Sequence, residues 1–294
     1  MTLELRSPTD GSPLRREHDA YVDSSGEVFP ILEGVPRLVT ASRRAHIDSI
    51  AAAYDAVRAA EGRTSTGADY YRALPYADLS GRHVEQWSRR AVAFELAMDQ
   101  TGDVDGLDVV DVGAGHGWIA SALLRRGAQV LAVDINTGVH DGLAAASFHE
   151  PMPEVAQAEA TRLPLADRAC DLVVLAAAAH YVRPTAMTAE AARVLRPGGR
   201  LLIFDSPVFD DAADGEAMVA AQRDELARFG DVLEFDGPGY WLAGDFAGPF
   251  RWSRFELPRH RLAPLRDHWT RRRLGRRPAR LPVMIGTRQG EEGP

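Results

Sequence analysis

Seven residues, Asp111-Val112-Gly113-Ala114-Gly115-His116-Gly117, carry the densest chemistry in the sequence. Glycines let a backbone turn sharply and approach a ligand closely. The run follows an apolar stretch, LDVVDV, and precedes a helix-like one, WIASALLRR. That is a strand, a loop and a helix, and in open α/β sheets ligands bind at the carboxyl ends of the strands. Asp134 ends the next apolar run, where a carboxylate accepts hydrogen bonds from ribose hydroxyls. A nucleotide-type cofactor is therefore expected. The dinucleotide fingerprint is G-x-G-x-x-G, whereas here Trp118 takes the sixth place counted from Gly113. Asp111, two residues before the first glycine, suits a cationic ligand better than a pyrophosphate.

The surrounding elements are those such a loop needs. From residue 107, strand-like runs alternate with helix-like ones: LDVVDV, QVLAVDI, a short run near 154–158, CDLVVLAAA and RLLIFDS, with helical segments between. Helices are expected over 142–150, over 185–199 with Pro197-Gly198-Gly199 as the stop, and over 215–230. This alternation predicts an α/β fold with a parallel sheet covered on both faces. Residues 250–257 and 281–288 can supply two closing strands. Ahead of the core, residues 44–62 and 83–101 read as helices, the second with an approximately helical apolar stripe through Val84, Trp87, Ala91, Phe94, Leu96 and Met98. The first 45 residues read as short extended pieces joined by turns. The expected organisation is an N-terminal β-rich appendage (1–45), a helical pre-core segment (46–105) and a cofactor-binding domain (106–294).

The pattern D-x-G-x-G-x-G after a strand resembles motif I of class I S-adenosylmethionine-dependent methyltransferases. Residues further along resemble the family in the same order. Asp134 stands at its ribose-binding acid, Ala158-Glu159-Ala160 with Leu163-Pro164-Leu165 at its adenine segment, Asp171-Leu172-Val173-Val174 at its fourth strand, and Arg193-Val194-Leu195-Arg196-Pro197-Gly198-Gly199 at the turn before its fifth. The resemblance implies a Rossmann-like sheet of order 3-2-1-4-5-7-6 with strand seven antiparallel. It implies S-adenosylmethionine as cofactor, bound by Asp111, Gly113, Ala114, Gly115, Gly117, Asp134, Ile135, Glu159, Ala160 and Ala176. Glu159 would meet the adenine amine and the Ala160 N–H its ring.

A sulfonium methyl is attacked in line, so the protein mainly aligns the reactants and needs a base only where the acceptor must lose a proton. His180, after the fourth strand in Ala-Ala-His-Tyr, is the candidate base. Its alternative is a packing role at the pocket rim. The Asn/Asp-Pro-Pro-Tyr/Phe sequence of adenine- and glutamine-amine methyltransferases is replaced here, which argues against a nucleobase amine as target. Tyr70, Tyr71, Trp118, Tyr181 and Asp205 are candidate substrate-pocket residues, and Tyr54 and Tyr76 belong to the same lid-like, tyrosine-rich segment. Arg90 can reach the cofactor carboxylate, and His116 is expected to face solvent, with a contact to that carboxylate as its alternative.

Ser7-Pro8-Thr9-Asp10-Gly11-Ser12-Pro13-Leu14 and Phe29-Pro30-Ile31-Leu32-Glu33-Gly34-Val35-Pro36-Arg37-Leu38 resemble the two ends of small Trm112-like zinc ribbons, but Ser7 and Asp10 stand where thiolates would be. Cys170 is the one cysteine, so a disulfide framework and a cysteine-rich zinc site are excluded and no metal is expected. The N-terminal residues lack the apolar core of a signal peptide and no run is long enough to span a membrane, so a cytoplasmic protein is the expectation. Net charge is −8, and every basic residue is arginine. Residues 251–280 hold eleven arginines against Glu256 and Asp267, a local charge of +9. A small-molecule acceptor is the first expectation. RNA, favoured by that basic segment, ranks second, ahead of a cofactor-binding protein without methyl transfer and of a nicotinamide dehydrogenase.

Overall fold

The computed structural model describes residues 3–63, 67–226, 235–258 and 263–290. Strands β1 (Arg15–Glu17), β2 (Ala20–Val22), β3 (Val28–Leu32) and β4 (Val35–Pro36) form a small antiparallel sheet in that order. The turn between β3 and β4 is Glu33-Gly34, both at positive φ (52° and 79°), as a tight hairpin requires. Three helices follow: α1 (Ala41–Ala60), α2 (Ala68–Ala73) and α3 (Val84–Thr101).

The main sheet is built from β5 (Asp108–Val112), β6 (Gln129–Asp134), β7 (Glu154–Gln157), β8 (Cys170–Ala176), β9 (Leu195–Phe204), β12 (Phe250–Phe255) and β13 (Val283–Arg288). Between these lie α4 (Trp118–Leu124), α5 (Pro184–Val194), a two-stranded pair β10 (Val208–Phe209) and β11 (Trp241–Leu242), α6 (Ala212–Leu226) and α7 (Ala263–Leu274). The order is β12-β13-β9-β8-β5-β6-β7. β13 runs antiparallel to both neighbours and the other pairs are parallel. This is the expected 3-2-1-4-5-7-6 arrangement.

The central strands are buried on both faces, which is why they read as unbroken apolar runs. Alternate side chains feed two cores. Val109, Leu172, Val174 and Leu202 pack with Trp87 and Phe94 of α3 and Ile119 and Leu123 of α4. Val110, Val173, Leu175 and Leu201 pack with Met187 and Ala191 of α5, and with Phe29 and Leu38 from the N-terminal sheet. Each such Leu or Val contributes about 1.5–3 kcal/mol of burial. The N-terminal sheet is thus docked on the core. The Leu38 N–H donates to the Gln157 carbonyl at 2.9 Å, covering the end of the β7 edge, and the Arg6 N–H donates to the Pro164 carbonyl at 2.8 Å in the segment after β7.

Several boundaries differ from the sequence expectation. Helix α1 starts at Ala41 and ends at Ala60, and residues 143–148 form a 3-10 stretch rather than an α-helix. The helix before the fifth core strand stops at Val194, so Pro197-Gly198-Gly199 lies inside β9. There the register jumps from Cys170↔Leu195 to Leu172↔Arg200. Proline has no N–H for the ladder and Gly198 sits at φ 79°, so the motif makes a bulge. Helix α6 starts at Ala212, and the last residues of the helix expected over 215–230 lie outside the described residues.

The basic segment leaves the sheet between β12 and β13. Arg254 pairs with Glu256 (2.7 Å), Arg280 with Asp210 (3.5 Å) and Arg277 with Asp214 (4.0 Å), so part of its charge is neutralised internally. Arg271, Arg272 and Arg273 of α7 are exposed, as is Trp269 at 63%. Arg259 and Arg261 lie outside the described residues. No helix of the described residues is long and apolar enough to cross a membrane.

Candidate functional site

The glycine loop joins β5 to α4. Gly113, Gly115 and Gly117 all have positive φ (70°, 53° and 81°), a region that side chains other than glycine enter at a cost. The Gly113 N–H donates to the Val133 carbonyl at 2.8 Å, and the Gly117 N–H to the Ala114 carbonyl at 2.9 Å. A Cβ on Gly113 would stand 2.3 Å from the Ala178 Cβ. Asp134, at the end of β6, fixes the loop from its flank. Its Oδ2 accepts the Gly115 N–H and its Oδ1 the Asn136 N–H, each at 2.8 Å. Each carboxylate oxygen retains a lone pair for a hydroxyl donor. Burial pushes the Asp134 carboxyl up to about 6.

Above the loop lies a cavity of about 1420 Å³ including its open mouth. Its floor is residues 112–116, 134–136, 158–161 and 175–178, the carboxyl ends of β5, β6, β7 and β8 with the loops that follow. Its roof is one face of α1, carrying Arg43, Ile47, Ile50, Ala51, Tyr54 and Arg58 at helical spacing. Three polar ties hold the roof down. Glu159 Oε1 accepts from Arg43 Nη2 (2.7 Å) and Nε (3.1 Å). The Asn136 amide donates to Asp55 Oδ1 (2.7 Å). Arg58 Nε lies 3.2 Å from Asp141 Oδ2. Arg58 also donates to the Tyr54 hydroxyl and stacks on its ring at 4.5 Å.

Of the sequence-predicted residues, Gly113, Ala114, Gly115, Asp134, Ile135, Glu159, Ala160, Ala176, Trp118, Tyr181 and Asp205 come together on this wall. Asp205, buried at φ 51°, accepts from Arg90 Nε (2.7 Å) and Arg89 Nε (3.2 Å). Arg90 also lines the cavity, its guanidinium 4.7 Å over the Trp87 ring.

Five predicted residues do not line the cavity. Asp111 is 1% exposed and lies beneath the loop, where its Oδ2 accepts the Ala120 N–H at 3.1 Å. Its Oδ1 has no hydrogen-bond partner among the described residues, and burial pushes the carboxyl up to about 7. Gly117 is where the loop enters α4, close to Pro153 and Ala146. Tyr71 is fully buried, donating its hydroxyl to the His140 carbonyl (2.6 Å) and stacking on Phe148 (4.9 Å), with Tyr70 against its edge. His180 sits in the 3-10 turn Ala179–Tyr181, its ring on Tyr181 (4.1 Å) and its Nδ1 3.3 Å from Ser206 Oγ. Burial pulls it down to about 4. The turn sends Tyr181 to the cavity and His180 behind it, which removes the placement expected of a base. Of the lid tyrosines, Tyr54 alone lines the cavity, and Tyr76 is exposed.

His116 corrects another expectation. It is 4% exposed and on the cavity wall, with its Nδ1 3.1 Å from His149 Nε2. Sequence reasoning also missed the α1 roof residues other than Tyr54, together with Arg63, Asp141 and Phe235. The 43-47-50-54-58 spacing of α1 was the available signal.

A methyltransferase-domain family model matches residues 110–203. An uncharacterized methyltransferase of Mycobacterium tuberculosis is 43% identical over 93 residues, 32% of this chain and 37% of that protein. The demethylmenaquinone methyltransferase of Renibacterium salmoninarum is 32% identical over 134 residues, 45% of this chain and 53% of that one. The fatty-acid O-methyltransferase of Mycolicibacterium smegmatis is 36% identical over 133 residues, 41% and 47%. The chain thus spans about a third to a half of the length of these curated relatives. Among solved structures, the complex of the Trm112 methyltransferase activator with a methyltransferase from Haloferax volcanii has a TM-score of 0.52 at 16% identity, covering 71% of this chain and 95% of the matched one. That likeness concerns the fold. Residues 110–203 thus match a methyltransferase-domain family, within a Rossmann-like fold whose sheet order is that of class I methyltransferases.

Proposed function

We propose that the chain is an S-adenosylmethionine-dependent methyltransferase acting on a small-molecule acceptor. The observation that carries this reading is the glycine loop, braced by Asp134, under a roofed cavity at the strand ends. The residues present fit the cofactor's charge. Asp111, whose buried Oδ1 has no hydrogen-bond partner among the described residues, and Asp134 can ionise at the loop, which favours a cationic ligand over a pyrophosphate. Asp134 would hold the ribose hydroxyls, and Glu159 and Ala160 the adenine. When bound, the cofactor supplies an electrophilic methyl on a sulfonium. The protein aligns the acceptor and excludes water beneath α1. Neutral and turned toward Ser206, His180 is read as support for Tyr181. The relatives named for demethylmenaquinone and fatty acids support a small, apolar acceptor, and a specialised metabolite fits the same cavity.

S-adenosylmethionine and S-adenosylhomocysteine are expected to raise the melting temperature. A ligand at 100 times its Kd adds about 2.7 kcal/mol, or roughly 4–5 °C for a chain of this size. NAD is expected to leave it unchanged. Stabilisation by NAD alone, read by differential scanning fluorimetry, would reject the reading.

A second reading, an RNA methyltransferase, is favoured by exposed Arg271, Arg272 and Arg273 beside Trp269. With Arg254, Arg277 and Arg280 paired to acids, we expect bulk RNA to bind no tighter than the nonspecific range of about 1–100 µM at physiological salt. Tighter binding that falls steeply between 50 and 200 mM salt (roughly the 10³–10⁵ loss of a multi-phosphate contact) would reverse the ranking.

We read the N-terminal sheet as a ribbon-like brace. Where a zinc ribbon would place thiolates, Ser7 donates to Asp23 Oδ2 (2.9 Å) and Ser24 to Asp10 Oδ2 (2.8 Å), so hydrogen bonds close the knuckle.

A further inference from the structure

The His116–His149 pair is buried, and nothing in the reading above uses it. Residues 33 apart in sequence, the two rings stack at 5.4 Å with an interplanar angle of 15°. Both side chains are almost fully buried, 4% and 5% exposed. Only His116 reaches the cavity wall, where Trp87, Arg63 and Arg90 also lie. His149 sits one layer behind. Its segment is pinned to α4, since Ser121 Oγ donates to the Pro151 carbonyl (3.0 Å) and Arg125 to the Glu150 carbonyl (3.2 Å). Tyr71 closes the side of both rings, at 5.2 Å from His116 and 6.1 Å from His149.

We propose that His149 is a positioning residue for the cofactor: by hydrogen bond and ring stack it holds a neutral His116 on the cavity wall, and His116, Arg63 and Arg90 together receive the carboxylate of the cofactor's amino-acid end. This rests on the methyltransferase reading.

Four features support it. His116 is part of the glycine loop, so holding its ring also holds the loop backbone. When His149 Nε2–H donates to His116 Nδ1, the hydrogen of neutral His116 sits on its far nitrogen, Nε2, which is the tautomer a carboxylate needs. Burial first, and then the arginines around the pair, keep both rings neutral. Burial, with Arg90 and Arg63 beside His116 and Arg125 and Arg72 beside His149, pulls each down to about 3. Finally, Arg63 pairs with Glu61 (2.8 Å), while Arg90 and Arg89 share Asp205, so that last trio carries a surplus positive charge for an anion.

The test compares two ligands by calorimetry. S-adenosylhomocysteine has the amino-acid end, and 5′-methylthioadenosine lacks it. The wild type, His149→Phe, which keeps a flat ring without the hydrogen bond, and His149→Gln, which restores a donor and acceptor, are titrated with each. The expected result is at least tenfold weaker S-adenosylhomocysteine binding in His149→Phe, 5′-methylthioadenosine within twofold of wild type, and recovery to within about threefold in His149→Gln. If His149→Phe melts without cooperativity, His116→Asn is expected to show the same selective loss. Unchanged S-adenosylhomocysteine binding, or equal weakening of both ligands, would overturn the proposal. A wild type that binds neither ligand would instead overturn the cofactor reading on which it rests.

Discussion

Replacing Gly113 by alanine is expected to abolish S-adenosylmethionine binding and to lower stability by about 2–5 kcal/mol, the sum of left-handed backbone strain and overpacking. Two independent costs meet at this residue. Its φ is 70°, where a Cβ crowds the following carbonyl. The Cβ would also stand 2.3 Å from the Ala178 Cβ, on the loop after β8. Ala178 is 8% exposed and packed, so relief requires the backbones after β5 and β8 to separate. Those two backbones form the cavity floor, so the damage falls on the ligand site itself. Controls separate the contributions. Gly198→Ala meets the same kind of strain at φ 79° with nothing within 4 Å, away from the cavity, and is expected to cost stability alone. Gly115→Ala, with its nearest contact 3.4 Å away at the Asp141 carbonyl, is expected to be milder. Adding Ala178→Gly to Gly113→Ala removes the clash and leaves the strain, so part of the binding is expected to return. Calorimetric titration and thermal melts read all four. A Gly113→Ala protein that binds like wild type would show that the loop is not the cofactor seat.

The same loop marks how much the sequence carries. Strand–helix alternation and the two closing strands were legible because buried parallel strands leave apolar runs and glycines leave turns. Asp134 was legible for the same reason, since it ends a strand next to the loop. What was not legible depends on residues far apart in the chain. His116 looked solvent-facing inside a glycine loop, yet the segment around Phe148 and His149 folds over it. The α1 stripe has the right period for one buried face, but period alone does not say that the face roofs a cavity. His180 follows the fourth core strand, yet in a three-residue turn neighbouring side chains diverge, and Tyr181 is the one that reaches the ligand space. Pro197-Gly198-Gly199 was a true break signal whose consequence, a bulge instead of a loop, was set by pairing with β8.

The second large effect is in pH. S-adenosylmethionine affinity is expected to rise by about tenfold or more between pH 5.5 and 8, since each unit of pKa lowered on binding is worth a factor of ten. Burial raises Asp111 to about 7 and Asp134 to about 6, from an ordinary carboxyl value of 3.8. In the ligand-free protein both carboxyls therefore hold protons to higher pH than in the unfolded chain. Their contribution to stability is full below 3.8 and is lost as pH rises through 6 to 7. A sulfonium cation near the loop favours the ionised forms, so binding expels protons and strengthens as pH rises. Three histidines act on the other side of the balance. His116, His149 and His180 are pulled down to about 3, 3 and 4. Their contribution is full above the ordinary value of 6.5 and is lost as pH falls toward those values, which destabilises the fold in acid with or without ligand. The two effects separate by ligand and by variant. S-adenosylhomocysteine, without the sulfonium charge, is expected to show a shallower slope than S-adenosylmethionine. Asp111→Asn keeps the shape, and its amide oxygen can still accept the Ala120 N–H, but it removes the ionisable group, so it is expected to weaken binding at pH 8 and to flatten the slope. Titrations in two buffers of different ionisation enthalpy count the protons released directly. A slope that is flat or reversed in the wild type, or unaltered in Asp111→Asn, would show that the buried carboxyls do not sense the ligand's charge and that the loop's selectivity for a cation has another origin.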